Sequence, residues 1–287
     1  MKWDPGHQSR DVEDRRGQSA GPRRGGAGLG WLFMLLLRTK YGWIVIVLIV
    51  GFLIARQAGL FSGLDNPQSG APAAPPAPTD ADPDVRFVGF VLDDVQNTWE
   101  AEFTRRGMQY RRAKLVLFTD AIDTACGYGE ATTGPFYCPP DERAFIDLSF
   151  FRTLSGRLGA QGQFARAYVI AHEIGHHVQR LLGTSERVGH AAGAQGASVR
   201  LELQADCYAG MWARSTAQRS LLEQGDLDVA MNAASRIGDD VLQREATGRV
   251  RPESFTHGSA EQRKRWLRRG YDTGSFEGCD TFQAPAL

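Results

Sequence analysis

The chain has 287 residues, 42% of them hydrophobic, which is enough for one or two globular domains with a buried core. Its 33 basic and 33 acidic residues balance, so nothing in the charge points to a nucleic-acid partner and none is expected. The absence of a convincing repeat, a nucleotide loop or a G-x-S-x-G elbow leaves a serine or cysteine hydrolase without support.

Residues 1–40 hold eight Lys/Arg and four Asp/Glu, are rich in Gly, and lack apolar periodicity until Leu29, so a disordered tail is expected. The apolar run 27–37 is too short to span a bilayer. The run 41–61 is long enough if Arg56 snorkels, and Trp43 with Arg38 and Lys40 suits a membrane edge, so one transmembrane helix is expected there. A buried core helix is the alternative, but no neighbouring segment would complete that core. Basic residues precede the span, whereas residues 62–84 hold four Asp and no Lys or Arg. The positive-inside rule then gives a single-pass signal anchor in the inner (cytoplasmic) membrane, with the N-terminus cytoplasmic and the remainder periplasmic or extracellular. Residues 62–84, with six prolines, read as a semi-extended linker.

The folded domain is expected over residues 85–287. Val88, Leu92, Val95, Trp99 and Phe103 recur at helical spacing, and residues 114–119 (KLVLFT) read as a buried strand. A hairpin follows, with Pro139, Pro140 and Asp141 in its turn and a strand over 143–148. Helices are expected over 164–182, 198–213, 215–222 and 228–236. A last helix starts at THGSAEQR, where Ser259 and Gln262 match a capping box.

The stretch AHEIGHHVQ, residues 171–179, holds three of the six histidines. On a helix His172 and His176 stand one above the other, at a spacing that suits one divalent ion, and Glu173 flanks them in the H-E-x-x-H pattern of zinc peptidases. The helix around them is largely apolar and expected to be buried, where such a cluster without a metal is costly. His177 lies about 100° round the helix from His176 and does not share its ion. Among His190, Glu186, Glu202 and Asp206 as third ligand, Glu202 is preferred. Asp206, four residues on and on the same face, then accepts the N–H of a ligating histidine. His190 misses the H-E-x-x-H-x-x-G-x-x-H spacing and reads as an exposed loop histidine.

All four cysteines lie beyond residue 125, in the part expected outside the cytoplasm, where disulfides persist. Four cysteines allow three pairings. GPFYCP suggests a turn back toward ACGYG, which favours Cys126 with Cys138 and hence Cys207 with Cys279.

HEIGHHVQ, followed by LELQADCYAG, with GPFYCP upstream and THGSAEQR downstream, resembles the neutral zinc metallopeptidase family of bacterial membrane-anchored proteins, as does the opening MKWDPGHQSRDVEDRRG. More widely, H-E-x-x-H plus E-x-x-A-D resembles the gluzincins. The resemblance implies an α+β, zincin-like metallopeptidase domain following one N-terminal transmembrane helix, with one Zn²⁺ on His172, His176 and Glu202. It implies Glu173 as catalytic base, Asp206 behind a ligand histidine, and a peptide or protein substrate. His257 resembles the histidine of a T-H-x-x-x-x-x-R pattern in related peptidases and is a candidate oxyanion donor or merely a loop tether. By analogy with zincins, 144–148 is the candidate edge strand for substrate. The alternatives are a zinc-stabilised, non-catalytic binding module and a zinc hydrolase of a cell-wall amide. The oligomeric state is left open.

Overall fold

The structure, a computed structural model, describes residues 1–18, 82–187, 189 and 191–287. Its main elements in chain order are β1 (Val12–Asp14), α1 (Pro83–Arg105), β2 (Lys114–Phe118), β3 (Ala121–Thr124), β4 (Gly127–Glu130), β5 (Phe136–Cys138), β6 (Arg143–Asp147), α2 (Ser149–Gly156), α3 (Gln163–Leu181), α4 (Ala197–Gln218), α5 (Asp226–Arg236), α6 (Asp239–Thr247) and α7 (Ala260–Thr273). This mixture of helices and a small sheet fits the expected α+β class.

Asp82 caps α1 by accepting from the Asp84 N–H, and Pro83 sits in the first turn, where its missing donor costs nothing. The stripe expected from spacing, Val88, Leu92, Val95, Trp99 and Phe103, is buried throughout. It packs in one continuous core with Leu115, Leu117 and Ile146 of the sheet. The sheet runs in the order β1-β2-β6-β5, with β1 and β6 both parallel to β2 and β5 antiparallel to β6. A separate hairpin, β3 with β4, carries Cys126 at its turn, and the Cys126–Cys138 disulfide ties that turn to β5.

Three expectations are corrected. Residues 1–18 are part of the fold: Val12 pairs with Leu115 and Asp14 with Leu117, and Trp3 meets Phe87 edge to face at 5.4 Å. A polar segment without periodicity can still order when each charge finds a fixed partner, and here Asp11 accepts from Arg112 at 2.6 Å and from Lys114 at 2.8 Å. The strand over 144–148 is no edge, because β6 lies between β2 and β5; β5 is the edge on that side. The helices expected over 198–213 and 215–222 are one, α4, whose buried Trp212, Ala213 and Thr216 carry it across the expected break to a stop at Arg219. The helices α2 and α6 and the β3–β4 hairpin are too short, at eight, nine and four residues per element, for a periodic pattern to stand out in the sequence.

Among the described residues no helix is long and apolar enough to cross a membrane. The apolar run 41–61 and nearly all of the linker 62–84 lie outside them, as does His190.

The helix α3 is apolar almost all round and is buried almost all round, between α1, α4 and α5. Close approach to α4 depends on Gly175: a Cβ there would stand 3.0 Å from both Cα and carbonyl oxygen of Ala205. At the next interface a Cβ on Gly270 of α7 would overlap the Cys207 carbonyl. The Cys207–Cys279 disulfide fastens the C-terminal tail to α4. Three helices are thereby brought near enough to share one polar cluster inside an apolar core.

Candidate metal centre

His172 and His176 project from the same face of α3, with their rings 4.8 Å apart. Across the Gly175–Ala205 contact, Glu202 of α4 reaches both, its Oε2 at 3.1 Å from His172 Nε2 and its Oε1 at 3.5 Å from His176 Nε2. One ligand atom from each of His172, His176 and Glu202 lies within 4.8 Å of the others. Two imidazoles and a carboxylate are a donor set for Zn²⁺ with a fourth position left to water or substrate.

The outer partners suit that set. His172 Nδ1 donates to Asp206 Oδ1 at 2.8 Å, because a carboxylate there can only accept, and Nε2 faces Glu202, to which it donates while protonated and from which a metal would displace that proton. Asp206 is fully buried and also accepts from Tyr168 Oη at 2.5 Å and from Arg263 Nε and Nη2 at 2.9 and 3.0 Å. Burial alone would raise its pKa, but Arg263 and His172 outweigh it and hold the carboxyl down to about 2. Burial likewise disfavours protonated His172, yet the charge of Asp206 and its hydrogen bond bring that imidazole up to about 10 in the absence of metal. Metal therefore competes with a proton for this site.

Glu173 lines the same cleft, of about 940 Å³, and is buried. Burial lifts its pKa, with the two imidazoles pulling the other way. His257 also lines the cleft. Its Nδ1 lies 2.9 Å from Thr256 Oγ1 and 3.3 Å from Asp239 Oδ1, while Asp239 Oδ2 accepts the backbone N–H groups of Thr256, His257 and Gly258. The hydrogen bond to Asp239 raises the His257 pKa against its partial burial. His257 is thus both tethered and presented to the cleft.

The remaining candidates lie elsewhere. His177 is fully buried on another face of α3; its Nε2–H donates to the Arg111 carbonyl at 2.6 Å, so its Nδ1 accepts from Tyr137 Oη at 2.8 Å. It bolts the edge strand β5 to α3. Glu186 pairs with Arg180. Both favoured disulfides, Cys126–Cys138 and Cys207–Cys279, are formed.

Sequence reasoning assigned no role to Arg263, Tyr168, Asp239 or Gln179. Arg263 stands at the end of the T-H-x-x-x-x-x-R pattern, and Gln179 lies three residues after His176 on the same face, so both had a signal in spacing. Asp239 had none, since the first turn of a separate helix, α6, delivers it.

No solved structure matches the chain. A relative from Escherichia coli K12, Uncharacterized protein YpfJ, is 42% identical over 98% of this chain and 99% of its own length. Another from Mycobacterium tuberculosis H37Rv, Uncharacterized protein Rv2575, is 46% identical over 62% of this chain and 65% of its own. Residues 1–282 match the family described as "Putative neutral zinc metallopeptidase", so the N-terminal residues 1–18, the H-E-x-x-H helix and the Glu202 helix all fall within one family, to which this chain belongs.

Proposed function

We propose that the chain is a zinc-dependent endopeptidase. The observation that carries this reading is the convergence of His172, His176 and Glu202 within 4.8 Å, with Glu173 beside them in one cleft. Zn²⁺ held there would supply Lewis acidity and an acidified water. Glu173, its carboxylate lifted by burial, takes a proton from the attacking water and returns it to the leaving amine. His257, held by Asp239 and Thr256, donates a hydrogen bond to the developing oxyanion. Asp206 and Arg263 hold His172 without touching substrate. The edge strand β5, Phe136–Cys138, offers unpaired backbone on the side away from β6 for an extended peptide.

The deciding experiment measures zinc per chain and peptide-library cleavage for wild type and Glu173→Gln. One zinc in both and cleavage only by wild type is expected. One zinc and no cleavage by either would favour the binding-module alternative, and no zinc in wild type would remove the site.

Two features support a compartment for this reading. Both disulfides favour an oxidising environment outside the cytoplasm. The pairing of β1 with β2 sets residues 12–14 beside 115–117, which supports one side of any membrane for both, in place of a cytoplasmic tail joined by one crossing to an external enzyme. Residues 1–18 and 82–287 share one compartment in this reading. Gln18→Cys and Ala286→Cys, probed with a membrane-impermeant thiol reagent on intact cells, should both be labelled; labelling of only one would overturn it.

A further inference from the structure

Behind His176 stands an amide, where His172 has a carboxylate. We propose that Gln179 is a positioning residue for His176, the first member of a buried amide relay through Gln204 to the Cys279 carbonyl that fixes which imidazole nitrogen faces the metal; the proposal rests on the zinc reading above.

Gln179 is 1% exposed and shares a helix face with His176, and its Oε1 lies 2.9 Å from His176 Nδ1. Its Nε2 donates to the Leu201 carbonyl at 2.7 Å and to Gln204 Oε1 at 3.1 Å. A carbonyl only accepts, so the NH₂ end of Gln179 must face Leu201, and only Oε1 remains for the imidazole. That oxygen also only accepts, so Nδ1 of His176 keeps its proton and Nε2, the nitrogen nearer Glu202, is the one that can give its proton up to a metal. Gln204, 5% exposed, repeats the logic one step on: its Oε1 is taken by Gln179, and its Nε2 donates to the Cys279 carbonyl at 3.2 Å. Turning either amide over would put NH₂ against a donor or oxygen against a carbonyl. The acceptor at the end of the chain is itself fixed, because Cys279 is bridged to Cys207 on α4.

The two imidazoles are therefore supported by different physics. Asp206 supports His172 through charge as well as geometry. Gln179 supports His176 through geometry alone, and adds no fourth carboxylate to a cluster that already contains Glu173, Glu202 and Asp206.

The test uses the purified full-length chain with Gln179→Leu, Gln179→Glu and Gln204→Leu. Zinc affinity is read by competition with a chromophoric chelator, the His176 tautomer by imidazole ¹⁵N shifts in the zinc-loaded protein, and folding by its melting temperature. Gln179→Leu should weaken zinc about 10- to 100-fold, with loss of the Nδ1–H preference. Gln179→Glu keeps an acceptor for His176 but sets an oxygen against the Leu201 carbonyl, so it should lose zinc affinity while keeping the Nδ1–H preference, and Gln204→Leu should lose less than Gln179→Leu. Wild-type zinc affinity and tautomer in Gln179→Leu would overturn the proposal, as would loss of the Nδ1–H preference in the Glu variant. If Gln179→Leu does not fold, Gln204→Leu decides by the same two readouts. A wild type that binds no zinc would sink the zinc reading and this proposal together, whereas tight wild-type binding unchanged by Gln179→Leu would sink this proposal alone.

Discussion

The N-terminal strap of residues 1–18 and the α3–α4–α7 core are both held by charged groups, in opposite surroundings. The strap's pairs are partly exposed: Asp93 accepts from Ser9 and Arg112 and meets His7 at 2.7 Å, and Arg16 donates to Asp14 and Asp82. In the core, Asp206 and Arg263 are 0% and 3% exposed, and every oxygen of Asp206 has a donor. Exposed pairs contribute little each and tolerate the loss of one member. A buried pair is unforgiving, because removing one partner strands the other's charge in a low dielectric. The strap is thus secured by number and the candidate metal centre by completeness.

The largest expected effect lies at the centre. Glu173→Gln should lower cleavage about 10²- to 10⁴-fold with zinc retained, as read by metal analysis beside single-turnover assays. Next comes stability: Asp206→Ala should cost about 3–5 kcal/mol by denaturant unfolding of the metal-free protein, since it leaves Arg263 buried without its counter-charge. The double variant with Arg263→Met should lose less than the sum of the two singles; strict additivity would mean that the pair does not act as a unit.

Strap variants should do less. Asp11→Ala should cost about 1–2 kcal/mol in the same unfolding experiment, and a loss as large as that of Asp206→Ala would erase the contrast between the regions. The smallest effect is a pH dependence. Burial opposes ionised Asp11, but Lys114 and Arg112 keep its pKa below the ordinary 3.8. A depressed carboxylate gives stability that is present above 3.8 and lost as pH falls through its folded value. Amide exchange in β1 should therefore accelerate below that pH before the amides of α3 respond. Simultaneous exposure of both regions would show that the strap has no separate opening.

Legibility followed the same divide. The spacings His172–His176 and Glu202–Asp206 were readable because helical geometry fixes neighbours within one element, and the stripe of α1 was readable for the same reason. The capping box at Ser259 and Gln262, local in sequence, is present as expected. β1 was not readable: three residues of a polar segment become a strand only because β2, some hundred positions away, offers a free edge. The role of β6 was misjudged because strand order is a property of the whole sheet.

By itself, then, the sequence determined the metal-ligand pattern, the helix that bears it and the family it belongs to, since these rest on residue types at short, fixed intervals. Tertiary structure decided that Asp206 would stand behind His172, that Asp239 would present His257, that β5 would be the edge strand, and that the N-terminal segment would join the sheet. Each of these depends on contacts between residues far apart in the chain, where packing and not spacing selects the neighbour.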